Sequence, residues 1–338
     1  MWDCHEVPDL SYDVIITGGT VTLDADHTIQ TLTITGGTLT GEHTLTAFGA
    51  FNWSASTISL DDGGSGTDLT VDGNATWNGD TKFLGKNTKL EMNGFVTWSN
   101  GFIVGDTSAV IVNNDTLEHT TNLGLTVSGI PNPRPIFDNE GVYRYDDVGT
   151  SNIDWTLNNA DEVDALAGIL QLRGGGSASS QFTVSDGAKL VVYDGDYDFG
   201  PADFTTVGTG LVEFFSAAMT DTLSGAINNA GTIRVTGSNV SFTQANIGGT
   251  FAVSAGTAAF LENSSILDLN WSGGKIRTVD SKVLSVDGPA TLNLGAKTIA
   301  AHSTIDLNDV TDWTSGYIVA DSGVVVVNND TLNQATIP

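Results

Sequence analysis

The chain has 338 residues, with 40 glycines, 44 threonines, 12 lysines plus arginines and 40 aspartates plus glutamates, for a formal net charge of −28. A chain this acidic repels phosphate, which argues against nucleic acid and anionic membrane surfaces as partners, and it has no apolar run of about 18 residues to cross a bilayer as a helix. Only Pro131, Pro133 and Pro135 cluster and glycine has no period of three, which sets collagen aside; an apolar fraction of 40% sets disorder aside.

Residues 1–13 read as an N-terminal segment or cap. Cys4 in this segment is the only cysteine, so no intrachain disulfide is expected. Met1-Trp2-Asp3 has neither the basic start nor the apolar core of a secretory leader.

From residue 14 the dominant signal is alternation with period two. In Thr31-Leu32-Thr33-Ile34-Thr35 the leucine and isoleucine fall on one face and the threonines on the other, the pattern of a half-buried strand. Short runs of the same kind follow at Thr38–Thr40, Thr44–Thr46, Leu69–Val71, Lys89–Met92, Ala109–Val112, Leu190–Tyr193, Thr232–Val235 and Val324–Val327. Gly-Gly, Asn-Gly, Asp-Gly and Asn-Asn pairs between them supply tight turns. Asp161 to Leu172 is the one stretch with a helical pattern, and its tail Ile169-Leu170-Gln171-Leu172 reads equally well as a strand running into Gly174-Gly175-Gly176.

The turns recur. Gly18-Gly19 returns as Gly36-Gly37, Trp53 is followed by Trp77 and then by Trp98, and late in the chain Trp271, Leu292 and Trp313 are evenly spaced. Spacing of about 20 residues with several tiny strands per unit predicts an all-β fold, a parallel β-helix or β-solenoid with rungs of about 20 residues. Residues one rung apart then stack, so Trp53, Trp77, Trp98, Trp271 and Trp313 are expected as ladder residues rather than as exposed sugar-stacking platforms. Asn113, Asn114, Asn328 and Asn329 are expected to stack at corners, where they satisfy backbone groups that no ladder reaches.

A longer repeat lies over the rungs. Residues 98–117 align without gaps on residues 313–332 at an offset of 215, and at the same offset Val71-Asp72-Gly73 meets Val286-Asp287-Gly288 and Lys82 meets Lys297. With the proline cluster as a boundary, this gives a first solenoid block at 14–130, a second at 131–260, and a partial repeat of the first at 261–338. The break inside the second copy leads us to expect a fragment of a longer array.

These phrases resemble those of large bacterial extracellular β-strand-repeat, adhesin-like surface proteins. The matching stretches are Gly36-Gly37-Thr38-Leu39-Thr40-Gly41, Asn270-Trp271-Ser272-Gly273-Gly274-Lys275-Ile276, Ala167 to Leu172, Gly174 to Gly176, and Phe182 to Leu190. The resemblance spans most of residues 14–338 and rests on the order and spacing of the phrases more than on any one of them. It implies a parallel β-helix, an extracellular or cell-surface location and a scaffolding or adhesive role, with no catalytic residues.

The residues themselves leave other readings open. Asp194, Asp196 and Asp198 alternate, so an extended chain puts three carboxylates on one face, a weak candidate for Ca²⁺. Asp68 closes Gly63-Gly64-Ser65-Gly66-Thr67-Asp68, a partial match to a Ca²⁺-binding nonapeptide; solvated turns are the plainer reading of both. Arg134, Tyr143, Arg144 and Tyr145 form the densest basic group, and Tyr143, Arg144 and Tyr145 are candidate glycan contacts, with a boundary cap as the plainer reading. The five histidines show no metal spacing. The expected function is a non-catalytic structural module (stalk, filament or adhesin) whose partners are itself, head to tail, or surface glycans. A carbohydrate-active β-helix, as lyase, hydrolase or glycan-binding module, is the alternative.

Overall fold

The structure is a computed structural model that describes residues 9–61, 68–129, 131–200, 204–207, 209–215, 220–229 and 231–335, with the backbone alone for 204–206 and 220–229. Gly63 to Thr67 of the nonapeptide-like stretch, and Cys4, lie outside the described residues. The chain divides into two compact units, Met1–Gly174 and Gly175–Pro338. Each is a parallel β-solenoid, and the described residues contain no helix.

From Leu45 onward in the first unit a turn consists of three strands. Lys89–Met92, Val96–Trp98 and Ile103–Gly105 make one turn, and Val110–Asn113, Thr116–His119 and Leu125–Val127 make the next. Each strand pairs in parallel with the strand three places on: Leu90 faces Ile111, Val96 faces Leu117, and Ile103 faces Leu125. The pleat sends alternate side chains into and out of the coil. Inward residues therefore form columns, such as Leu45, Leu69, Leu90, Ile111, Phe137 and Leu157. One turn of chain separates each member of this column from the next, and the step from Ile111 to Phe137, which spans the proline cluster, is the longest. The core is these columns, and Leu45, Leu69, Leu90, Ile111, Phe137 and Leu157 are all buried. Threonines take the outward positions: Thr28, Thr46 and Thr70 stand in register, and Glu91 follows them.

The helical pattern of Asp161 to Leu172 is corrected, and the strand reading of its tail Ile169–Leu172 holds. The segment forms two strands, Glu162–Ala165 and Ile169–Leu172, around a corner at Gly168 with φ +54°. Val163 and Ala165, then Leu170 and Leu172, are buried in period two. The parallel ladder from the turn above, with Tyr143 opposite Val163, imposes the extended form, because tertiary pairing overrides a weak local propensity.

In the second unit the same logic holds. The extended run Thr232–Phe260 passes through successive faces, lying on Leu211–Phe214, then on Thr220–Asn229, with Ser264–Trp271 and Gly274–Thr278 paired to it in turn. Trp271, Leu292 and Trp313 form one column at the spacing read from the sequence, and Val253 stands in register above Trp271.

Candidate functional site

The inward column of the first unit that follows Ile34 carries the largest side chains. Trp53, Trp77, Trp98, His119 and Tyr145 stand in register, one per turn. All five are buried, so no ring face is open to a sugar. The rings meet edge to face at 6.0 Å for Trp53 and Trp77 and at 6.2 Å for Trp77 and Trp98, the geometry that aromatic quadrupoles favour. His119 then lies flat on Trp98, with ring centroids 3.9 Å apart and an interplanar angle of 5°. Its Nδ1 sits 2.8 Å from the Tyr143 hydroxyl and its Nε2 2.8 Å from the Leu123 carbonyl. The carbonyl can only accept, so the imidazole carries its proton on Nε2, and the Tyr143 hydroxyl donates to Nδ1. Burial pushes the imidazole down to about 3, because a charged ring there would lose its water. His119 follows Trp98 at the same interval that separates Trp98 from Trp77; that interval was the signal for its place in the ladder.

Two kinds of asparagine ladder run alongside. The buried one consists of Asn113, Asn139 and Asn159. Asn113 Nδ2 donates to Asn139 Oδ1 at 2.8 Å, and Asn139 Nδ2 donates to Asn159 Oδ1 at 2.6 Å. Each amide also donates to a corner carbonyl two residues on, at Asp115, Gly141 and Asp161. The ladder starts at Asn113 because Met92 stands above it and has no donor; Asn113 Oδ1 is left without a partner. The exposed ladder consists of Asp72, Asn93 and Asn114, linked by amide-to-oxygen hydrogen bonds of 2.8 and 2.7 Å. In the second unit Asp287, Asn308 and Asn329 repeat it at 2.9 and 2.7 Å, every member displaced by the same offset of 215.

That offset also relates two buried ammonium groups. Lys82 Nζ donates to the carbonyls of Asp80 and Asn100, at 3.1 and 2.9 Å. Lys297 Nζ donates to those of Gly295 and Ser315, at 3.1 and 3.4 Å. Both lysines are fully buried. The acceptors are backbone atoms, so the site survives the change of Asp80 to glycine and Asn100 to serine between the copies. Burial pushes Lys82 down to about 8 and lowers Lys297 as well.

The proposed glycan contacts are corrected in part. Alternation along Val142–Tyr145 turns Tyr143 and Tyr145 inward, where both are buried. Arg144 points outward and pairs with Asp164, Nε to Oδ2 at 3.1 Å. Asp194, Asp196 and Asp198 do not converge on a common point with other ligands: among the described residues no three His, Cys, Asp or Glu side chains come together as a metal site would require. Asp68 is buried and accepts a hydrogen bond from the Lys89 backbone N–H at 2.6 Å, bracing the turn below it. Asn328 lies one turn below Leu307.

Glu42, His43, Asp61 and Lys86 share a groove around an open space of about 550 Å³ in the first unit. His43 Nδ1 lies 3.6 Å from Asp26, whose carboxyl is held below its usual range by hydrogen bonds from Thr44 and by His43. Asn87 Nδ2 donates to Asp61 at 2.9 Å. The groove thus offers one ammonium, one imidazole and two carboxylates.

Compared with known protein families, curated proteins and solved structures, the chain has no match.

Proposed function

We propose that the chain is a non-catalytic structural module of an extracellular surface protein, a stalk, filament or adhesin, and that it associates head to tail. The observation that carries this reading is the recurrence of the Asp72, Asn93 and Asn114 ladder as Asp287, Asn308 and Asn329, with the buried Lys82 and Lys297 at the same offset. What the sequence repeats is the apparatus that holds one turn on the next, and that apparatus lets a solenoid lengthen without a new core. The buried polar side chains described above, His119, Tyr143, Asn113, Asn139 and Lys82, direct their hydrogen bonds to corners of their own turn and to neighbouring turns rather than to an opening. The charge of −28 suits a soluble surface in cation-rich surroundings. The reading is tested by measuring the mass in solution as a function of concentration, with and without Ca²⁺; a monomer at every concentration sinks the self-association.

The alternative is a carbohydrate-active solenoid, and the groove with Glu42, His43, Asp61 and Lys86 favours it over the Arg144 surface. A lyase needs cations against the substrate carboxylate and a base, and the groove supplies a single ammonium. Incubation with alginate and pectin, read by new absorbance from unsaturated sugars or new reducing ends, decides between the two.

A further inference from the structure

We propose that Asn100-Gly101 is a self-modifying site. The Gly101 backbone nitrogen closes on the Asn100 side chain, ammonia leaves, and water converts the resulting ring to aspartate or isoaspartate, at the corner that holds the buried Lys82.

The corner brings the reacting atoms together. The Gly101 N–H donates to Asn100 Oδ1 at 2.9 Å, which holds the nitrogen beside the Asn100 Cγ. Positioning of this kind accelerates an intramolecular step. Asn100 is exposed, so water reaches its side chain. The fold imposes the glycine: its φ is +79°, and a Cβ there would stand 2.0 Å from the Asp80 carbonyl oxygen. The attacking nitrogen therefore belongs to a residue with no side chain to hinder it. The fold does not impose the asparagine. The equivalent corner of the second unit is Ser315-Gly316, with its glycine at φ +80°. An amide placed where a serine suffices gives one copy of the corner a reaction that the other copy lacks.

Asn78 and Asn93 also precede glycine. The amide of Asn93 is held at both ends in the exposed ladder, donating to Asp72 and accepting from Asn114. The bond from the following glycine back to the asparagine side chain sets Asn100 apart from both among the described residues.

The step needs only the chain and water. A bond forms between Gly101 N and Asn100 Cγ, the bond from Cγ to Nδ2 breaks, and the Gly101 proton leaves with the amide nitrogen as ammonia. Water then opens the ring at either of its carbonyls. Opening at Cγ gives aspartate. Opening at the main-chain carbonyl routes the chain through Cγ and frees that carbonyl as a carboxylate. Its oxygen is the one that receives Lys82 Nζ at 2.9 Å, so the isoaspartate form sets a negative charge against the buried ammonium.

The test ages the whole folded chain in mildly alkaline buffer and follows each Asn-Gly peptide of a digest by mass spectrometry, with isoaspartate told from aspartate by electron-transfer fragmentation. Asn100 is expected to convert on the order of tenfold faster than Asn93 in the folded chain. In urea, where only the shared Asn-Gly sequence acts, the three sites are expected to convert at similar rates. Asn100→Ser, the residue of the second copy, is expected to keep the circular dichroism spectrum and to abolish conversion at this corner. Conversion of Asn100 no faster than that of Asn78 and Asn93 in the folded chain, or the same advantage of Asn100 in urea, overturns the proposal.

Discussion

Asn113 donates its side-chain amide to Asn139 Oδ1 one turn below, at 2.8 Å, with both residues buried. Asn139 passes the same bond on to Asn159. A buried amide needs every donor used, because an unmet one costs about 1–3 kcal/mol, and in this ladder each asparagine meets its neighbour's need while tying down a corner carbonyl.

Replacing Asn139 with aspartate keeps the acceptor for Asn113 and removes the donors to Asn159, Gly141 and Glu162. Urea unfolding is expected to register a loss of about 3 kcal/mol or more. Asn114→Ala, in the exposed ladder, is expected to cost under about 1 kcal/mol, since water replaces the lost partner. Equal costs at the two positions would contradict the division into buried and exposed ladders.

His119 gives the stability a pH dependence of known sign. Burial holds its folded pKa at about 3, against an unfolded value of about 6.5. Below about pH 6.5 the unfolded chain binds a proton that the folded chain refuses, so stability falls as pH drops toward 3. Between pH 7.5 and 5 this contribution amounts to about 2 kcal/mol. Urea titrations of the wild type and His119→Phe at both pH values should differ by that amount in their pH dependence, whatever other groups contribute to both.

Lys82 and Lys297 are fully buried, whereas Lys86 is exposed. An amine-acylating reagent applied to the folded protein is expected to modify Lys86 and to leave Lys82 and Lys297 intact, as read by mass spectrometry of a digest. Modification of Lys82 as fast as Lys86 would mean that the ammonium does not sit inside the coil.

Gly101 and Gly316 mark the same corner in the two copies, with φ +79° and +80°. A Cβ at Gly101 would stand 2.0 Å from the Asp80 carbonyl oxygen, and one at Gly316 2.0 Å from that of Leu294. Both the left-handed backbone and the contact penalise a side chain, so Gly101→Ala is expected to destabilise the first unit by about 2 kcal/mol or more. A neutral effect in thermal or urea unfolding would show that the corner differs from this geometry.

The coil itself was legible in the sequence. Trp53, Trp77 and Trp98, and later Trp271, Leu292 and Trp313, stand in register at the intervals read from the residue numbers, since a parallel ladder converts a repeat length directly into contact. The segment 161–172 misled because its apolar residues fit both periods until the corner at Gly168 is known. Tyr143 and Tyr145 looked like a binding pair because adjacency in sequence hides which side of the pleat each takes. The partners of Asn113 were hidden by the proline-containing loop at 131–135, which makes the step from Asn113 to Asn139 longer than the one from Asn139 to Asn159. Lys82 and Lys297 were visible only as an offset match, because their acceptors are carbonyls that any residue provides.

Sedimentation velocity over a wide range of protein concentrations, with and without Ca²⁺, tests the structural reading most directly. Species larger than the monomer are expected to grow with concentration. A wild type that remains a single monomeric species throughout would contradict the assembly of this solenoid end to end.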